Sequence, residues 1–335
     1  MTLATGIGSM PGDDADAFLQ ATRVVLERLP DLPHLVEVPG RGATAQMTGR
    51  ALAVVSGLAA DLQPAGWRLT GTGGGSGVDH RRARSLLAQD LDVLEEETDG
   101  YTGAFKIQVT GPWTLASTVE KPRGDKVLSD HGARLDLAQA LAEGVRTHVR
   151  DVRRRLPGVD RLVVQVDEPG LASVLGGKVP TASGWGRHRT VHPPEASDAL
   201  GWVLGAITDE GAEPWVHSCA PGTPLALLRG AGARGLAVDV AQLGAADHDV
   251  LAEALEAGES VVLGVVPSTD AAGASMPGEG QVVEAVTRWL DMLGLDPASI
   301  GGSLAVSPTC GLAGASERWS RRVLALLRAS AAELT

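Results

Sequence analysis

The sequence contains little cysteine and few aromatic residues other than tryptophan. Its 335 residues include two Cys, two Phe and one Tyr, against seven Trp. With so few large rings available, we expect a hydrophobic core made mainly of Val, Leu, Ala and Gly. The composition is otherwise that of a globular protein, with 44% hydrophobic and 21% charged residues.

Long apolar runs and an excess of basic residues are also missing. No apolar run approaches the roughly 20 residues of a transmembrane helix, so we expect no membrane span. The net charge of −12 would repel phosphate groups, which argues against a nucleic acid or an anionic membrane as a partner. The first residues show no basic segment followed by an apolar one, so we expect no signal peptide and a cytoplasmic location. In that reducing compartment a structural disulfide between Cys219 and Cys310 is disfavoured.

Short apolar segments alternate with longer amphipathic segments along the chain. Eight segments are predicted strands: Leu3–Ser9, His34–Val38, Phe105–Thr110, Arg161–Asp167, Pro214–Ser218, Gly235–Val240, Ser260–Val266 and Ser303–Ser307. Seven segments are predicted helices: Asp14–Arg28, His80–Glu97, Ala133–Arg155, Pro194–Thr208, His248–Ala257, Gly280–Leu293 and Ser316–Ala332. This order predicts the α/β class and a single (β/α)8 TIM barrel over residues 1–335. A doubly wound sheet with a small second domain is the alternative.

Two stretches are longer than one crossover between strands requires. Residues 40–104 follow the second predicted strand and contain a helix-like segment, Ala45–Leu62, a further predicted strand, Trp67–Thr70, and a glycine-rich loop at 70–77. Residues 172–192 follow the fourth predicted strand. Such insertions commonly shape the mouth of a barrel. The glycine-rich loop lacks the Gly-Lys-Ser/Thr ending of a P-loop, which favours a mobile hairpin or lid over a phosphate site.

Both cysteines stand at the ends of predicted strands. His217 and Cys219 are two residues apart, so on a strand their side chains point to the same side. Cys310 ends a distant strand and supplies a third soft ligand. The three residues predict a His/Cys/Cys zinc site that leaves one coordination position open for chemistry. Inert, buried thiols are the alternative.

Carboxylates also follow predicted strands, at the barrel face that carries active sites. Asp167 and Glu168 are adjacent, so one is expected to face inward and the other sideways. We expect one of them to bind a cationic substrate group such as an amine; capping of the next helix is the alternative. Asp239 is a candidate metal ligand, a partner for His217 or an ordinary loop acid.

Five short motifs resemble the catalytic half of cobalamin-independent methionine synthase. They are Ile7-Gly-Ser9, Val109-Thr-Gly-Pro112, Gln165-Val-Asp-Glu-Pro169, His217-Ser-Cys219 and Pro308-Thr-Cys-Gly-Leu312. They occur in the order of the family and span nearly the whole chain. The resemblance implies a (β/α)8 barrel that transfers a methyl group to the sulfur of homocysteine at a zinc ion, forming methionine.

The resemblance also implies roles for individual residues. It makes His217, Cys219 and Cys310 the zinc ligands, and puts Asp239 at the place of a fourth ligand that is glutamate in the family. Homocysteine would be held by the backbone from Ile7 to Ser9 at its carboxylate and by Asp167 at its amino group, with Glu37 as a second acid and Glu168 as a neighbour. These assignments make Asp167 and the three ligands the catalytic group.

The methyl donor is less well specified. We expect no counterpart of the additional amino-terminal barrel that helps to hold the folate donor in full-length members of the family. The donor is therefore expected to be methyltetrahydrofolate or a methylated corrinoid protein. Three alternatives remain open: methyl transfer from a corrinoid protein to a different thiol, a metal-free decarboxylation like that of the tetrapyrrole-pathway barrels, and a non-catalytic zinc-binding barrel.

Overall fold

The computed structural model describes residues 2–71, 75–271, 274–296 and 300–334. Its strands are β1 (Leu3–Ala4), β2 (Ala60–Gln63), β3 (Gly66–Leu69), β4 (Gly103–Thr110), β5 (Val159–Asp167), β6 (Glu213–Ser218), β7 (Gly235–Asp239), β8 (Ser260–Val266) and β9 (Leu304–Pro308). Seven of them form a curled sheet in the order β1-β9-β8-β7-β6-β5-β4, and each neighbouring pair in it is parallel.

Helices alternate with these strands and cover the outside of the sheet. They are α1 (Ala15–Arg28), α2 (Met47–Val54), α3 (Val78–Glu97), α4 (Pro112–Thr118), α5 (His131–Arg155), α6 (Leu171–Leu175), α7 (Pro193–Asp209), α8 (Leu225–Gly230), α9 (Ala245–Glu256), α10 (Glu279–Leu293) and α11 (Glu317–Glu333). Side chains that accept from backbone amides cap several of them; Asp14, for example, begins α1 and Asp130 begins α5. None of the helices in the described part of the chain is long and apolar enough to cross a membrane.

Residues 33–38 close the ring between the two edges of the sheet. On the β4 side, the Lys106 amide donates to the Pro33 carbonyl at 2.9 Å and the Leu35 amide donates to the Lys106 carbonyl at 2.8 Å. On the other side, the Glu37 amide donates to the Gly8 carbonyl at 3.1 Å. With this segment in place the strands complete a TIM-barrel-like ring, and the predicted fold class is confirmed.

The first two predicted strands are less regular than the sequence suggested. Leu3–Ser9 is a regular strand only in β1, and His34–Val38 contributes isolated parallel bridges instead of a continuous strand. The bends arise at glycines that allow close contact. A Cβ atom on Gly6 would overlap the His34 ring, and Gly8 has a φ of +150°, which side-chain-bearing residues rarely adopt. Predicting both segments as regular strands was therefore wrong, although both lie at strand positions in the ring.

The barrel interior contains its own apolar layer, separate from the larger core between the sheet and the helices. Nearly every position of the ring contributes one residue to it. The members are Leu3, Leu32, Ala104, Val163, Trp215, Ala237, Val262 and Ala305. This apolar layer fills the barrel toward the amino ends of the strands. Inward-facing polar residues therefore lie between it and the carboxyl ends of the strands.

The long insertion at 40–104 contains α2, an antiparallel hairpin of β2 and β3, and α3. The predicted strand Trp67–Thr70 corresponds to β3. The predicted helix Ala45–Leu62 was wrong in extent, because α2 ends at Val54 and the chain then enters β2, which pairs with β3. The proposed lid at 70–77 lies partly outside the described residues, since 72–74 are not among them.

Candidate active site

Three side chains with metal-binding atoms come together at the carboxyl ends of β6 and β9. His217 is in β6, Cys219 follows its end, and Cys310 lies just after β9. One ligand atom from each residue lies within 4.8 Å of the other two. β7 and β8 separate β6 from β9 in the sheet, so the curvature of the barrel is what brings the distant Cys310 to the other two residues.

The imidazole of His217 has a defined orientation. Its Nδ1 atom lies 3.1 Å from the carbonyl oxygen of Ala237 on the neighbouring strand β7. Because a carbonyl can only accept, Nδ1 carries the proton and donates. Nε2 is then the ring atom available for binding a metal, and the backbone carbonyl fixes its direction.

The two cysteine thiols interact with each other and are not joined in a disulfide. A hydrogen bond with Cys219 and the neighbouring His217 lower the pKa of Cys310 to about 4, against the effect of burial. The same hydrogen bond, and burial, raise the pKa of Cys219. The hydrogen bond between the two sulfurs therefore favours the thiolate form at Cys310. Thiolate is the form of cysteine that binds metals.

This donor set fits zinc. One imidazole nitrogen and two sulfurs is a ligand combination that zinc sites use, and three protein ligands leave room for a substrate. Ligand atoms bonded to one tetrahedral zinc ion lie about 3.5 to 4 Å apart, so the cluster needs little movement. Asp239 is not in the set of ligand atoms that lie within 4.8 Å of one another, although its charge acts to raise the pKa of Cys219. Its Oδ1 accepts a hydrogen bond from the Ala241 amide at 3.0 Å.

Asp167 lies beside the cluster, at the end of β5. It is the register partner of His217 on the adjacent strand β6. Its Oδ1 accepts a hydrogen bond from Gln165 Nε2 at 2.7 Å. Burial raises the pKa of Asp167 to about 7, an effect that the nearby His217 opposes. Asp167 is therefore an inward carboxylate next to the candidate metal ligands, with one side chain orienting it.

Glu168 is buried in the opposite direction, against α4. Its carboxylate accepts hydrogen bonds from the Trp113 amide at 2.9 Å, the Thr114 amide at 2.8 Å and the Thr114 hydroxyl at 2.7 Å. Burial raises the pKa of Glu168 to about 7, although these donors favour the charged form. Both oxygens are thus engaged by the first turn of α4, which leaves Asp167 as the acid of this pair that faces the cluster.

The segment from Ile7 to Ser9 reaches the same place from β1. The Leu312 amide donates to the Ser9 carbonyl at 2.8 Å. A Cβ atom on Gly311 would collide with the Ser9 hydroxyl, so glycine at 311 permits this contact. The backbone that is predicted to hold a carboxylate therefore lies against the residues that follow Cys310.

Glu37 belongs to a buried ion-pair network that the sequence did not reveal. Arg50 Nε donates to Glu37 Oε1 at 3.1 Å, and Arg50 also pairs with Asp90 of α3. Arg41 forms a bidentate salt bridge with Asp90, in which each of its two terminal nitrogens donates to one carboxylate oxygen at 2.8 Å. The partners of Glu37 come from the insertion at 40–104, and no local sequence signal connects them to it.

The family of the chain follows from a comparison with family models. A model described as "Cobalamin-independent synthase, Catalytic domain" matches residues 104–333. The chain belongs to this family. It is therefore an enzyme of the B12-independent methionine synthase family, whose members are methyltransferases that use homocysteine and are zinc-dependent in general. The matched region contains Asp167, Asp239 and the His/Cys/Cys cluster, whereas Ile7 to Ser9 and Glu37 precede it.

Comparison with one solved structure supports the fold. The structure is similar to a B12-independent methionine synthase from Shewanella sp. W3-18-1 in complex with selenomethionine, with a TM-score of 0.64 and 15% identity over 100% of this chain and 98% of that chain. A GH5_18 protein from Streptomyces cattleya in complex with GlcNAc is less similar, with a TM-score of 0.46 and 16% identity over 99% and 79% of the two chains. No curated protein matches the sequence.

Proposed function

We propose that this protein transfers a methyl group to the thiol of homocysteine, forming methionine, with a zinc ion held by His217, Cys219 and Cys310. The observation that carries the proposal is the approach of these three ligand atoms to within 4.8 Å of one another. Membership of the cobalamin-independent synthase family supports the same reaction class.

The chemistry begins with the acceptor thiol. A free thiol has a pKa of about 8.5 and is mostly protonated near pH 7, whereas methyl transfer requires the thiolate. Zinc bound by the three residues would supply that thiolate by lowering the pKa of a thiol that coordinates it. Asp239 is proposed as a fourth ligand, for which its carboxylate would give up the hydrogen bond with the Ala241 amide.

The remaining residues are proposed to hold the amino-acid part of homocysteine. Asp167 binds the ammonium group, since it is an inward carboxylate beside His217. The backbone from Ile7 to Ser9 binds the carboxylate, and its contact with Gly311 keeps it close to Cys310. Glu37 adds a second negative charge near the amino group, partly balanced by Arg50. Glu168 supports this arrangement by fixing α4 beside Asp167.

The experiment is a methylation assay with homocysteine and two donors offered side by side, methyltetrahydrofolate and a methylated corrinoid. Methionine is measured by mass spectrometry, and zinc is measured in the same protein sample. We expect one zinc ion per chain and methionine from at least one donor, and the productive donor identifies the donor class. A simple thiol such as 2-mercaptoethanol serves as a competing acceptor.

Two results would contradict the proposal. A zinc-loaded protein whose kcat/KM for 2-mercaptoethanol equals or exceeds that for homocysteine would indicate a different thiol acceptor. A protein that contains no zinc and retains activity after Cys310→Ser would remove the proposed site altogether, and would favour a metal-free reaction in the same barrel.

A further inference from the structure

Lys106 is a buried cation in the middle of the barrel that the proposed chemistry does not use. It lies in β4 and has 0% of its surface exposed. Its Nζ donates to the Ile7 carbonyl at 3.1 Å and to Gln165 Oε1 at 2.8 Å. Burying an ammonium group is unfavourable unless acceptors surround it. Burying Lys106 therefore has an unfavourable desolvation free energy, which its hydrogen-bond acceptors must offset.

Lys106 determines which way the Gln165 amide points. An ammonium group can only donate, so the side of the amide that faces it must be the oxygen. The amide nitrogen then faces two acceptors, the Ile7 carbonyl at 2.9 Å and Asp167 Oδ1 at 2.7 Å. If the amide turned over, its oxygen would face those two acceptors, and its NH2 group would face the ammonium of Lys106. Lys106 thereby fixes the donor that orients Asp167.

Lys106 and Gln165 also fix the peptide that joins Ile7 to Gly8. The Ile7 carbonyl accepts from both side chains, so its direction is set toward the barrel interior. In a trans peptide the N–H of the next residue points the opposite way, so the Gly8 N–H points away from Lys106. The flexible Gly8, with its φ of +150°, would otherwise be free to turn this peptide.

The charges in this group are consistent with the geometry. Burial lowers the pKa of Lys106 to about 8, while Asp167 and Glu37 act to keep it protonated. In return the ammonium of Lys106 favours the carboxylate form of Asp167 against the effect of burial. A charged Asp167 is the form that binds an ammonium group.

We propose that Lys106 is a positioning residue for the amino-acid part of the substrate: it orients Asp167 through Gln165, and it orients the Ile7–Ser9 backbone through the Ile7 carbonyl. The inference rests on the proposed function, because it takes these two elements to hold the ammonium and carboxylate groups of homocysteine. It predicts that Lys106 determines selectivity for an amino-acid thiol over a simple thiol, without touching either.

The kinetic test compares Lys106→Met and Gln165→Met with the wild-type protein. For both variants we expect KM for homocysteine to rise at least about tenfold, because the charge-assisted hydrogen bonds to substrate lose their alignment. We expect kcat, zinc content and the rate with 2-mercaptoethanol to change much less. Arg161→Met is the matched control, since it removes a cation that pairs with Glu213 at 2.8 Å at the other end of β5.

A second measurement does not depend on activity. In wild-type and variant proteins without substrate, the 15N amide resonances of Gly8 and Ser9 should shift in Lys106→Met and stay in place in Arg161→Met. Gln165→Met provides the same comparison if Lys106→Met does not fold. Unchanged Gly8 and Ser9 resonances, or an unchanged KM for homocysteine in an active variant, would overturn the inference. Shifted resonances in a protein whose wild type does not methylate homocysteine would instead refute the proposed function.

Discussion

Two neighbouring parts of the barrel are organised in different ways. The thiol rim, comprising His217, Cys219 and Cys310, is partly exposed at the two cysteines, and its sulfurs interact mainly with each other. The polar layer, comprising Lys106, Gln165 and Asp167, lies inside the barrel, where direct hydrogen bonds join its members. The rim therefore has donor atoms available for a ligand, whereas the layer is already assembled by the protein. We expect perturbations of the rim to change metal binding and those of the layer to change substrate recognition.

The largest expected effect comes from breaking the rim. Cys310→Ser should reduce zinc to a small fraction of one ion per chain and lower methionine formation by more than about 100-fold, since loss of even an indirect partner of a metal ligand costs 10- to 100-fold. Cys219→Ser should behave alike. Metal analysis and the methylation assay check this. Thr309→Val, next to Cys310, is the control and should keep both zinc and activity; a Cys310→Ser protein with full zinc content would refute the ligand assignment.

The second effect concerns Asp167, which joins the layer to the rim. Asp167→Asn should weaken homocysteine affinity by about 10- to 100-fold, because a charge-assisted hydrogen bond contributes about 1.5 to 3 kcal/mol. Zinc content and transfer to 2-mercaptoethanol should be retained. Isothermal titration with homocysteine and the two assays check this. Equal losses with both thiols would mean that Asp167 acts on the rim and not on the amino group.

Removal of the metal should lower the thermal stability that the thiol rim contributes, and leave the polar layer folded. A ligand that binds only the folded state, present at 100 times its Kd, contributes about 2.7 kcal/mol. Chelation should therefore lower Tm by about 4 °C for a chain of 335 residues and leave the far-ultraviolet circular dichroism unchanged. The same treatment should have no effect on Cys310→Ser. A collapse of secondary structure on chelation would show that the layer also depends on the metal.

The smallest effect on homocysteine binding should come from Glu168, the sequence neighbour of Asp167. Glu168→Gln replaces a carboxylate oxygen with an NH2 group facing the donors of α4, and should lower the free energy of unfolding by about 1 to 3 kcal/mol. Homocysteine affinity should change less than in Asp167→Asn. Urea unfolding and isothermal titration measure the two quantities. If Glu168→Gln weakened homocysteine binding as much as Asp167→Asn does, the assignment of Asp167 to the substrate and of Glu168 to α4 would be wrong.

The rim was predictable from the sequence because its residues carry strong local signals. His217 and Cys219 have the two-residue spacing of one strand face, and Cys310 ends another strand. The barrel rule that active residues follow strands placed all three on one face. The opposite directions of Asp167 and Glu168 were also predicted, since adjacent strand residues point to opposite sides, but which of the two faces inward was not.

The polar layer was not predictable because it depends on register and on unconnected segments. Lys106 and Gln165 lie within apolar strands, and their contact requires the pairing of β4 with β5. The Arg50 and Asp90 partners of Glu37 come from an insertion whose helix α2 ends earlier than its sequence suggested. Polar residues inside otherwise buried strands were the only available signal, and it does not identify their partners.

The central claim is that one imidazole and two cysteine sulfurs bind a single zinc ion. X-ray absorption spectroscopy at the zinc edge of the purified protein tests it most directly. We expect two sulfur neighbours at about 2.3 Å and one imidazole nitrogen at about 2.0 to 2.1 Å, with a third sulfur when homocysteine is added. A zinc environment of oxygen and nitrogen alone, unchanged by homocysteine, would contradict the account.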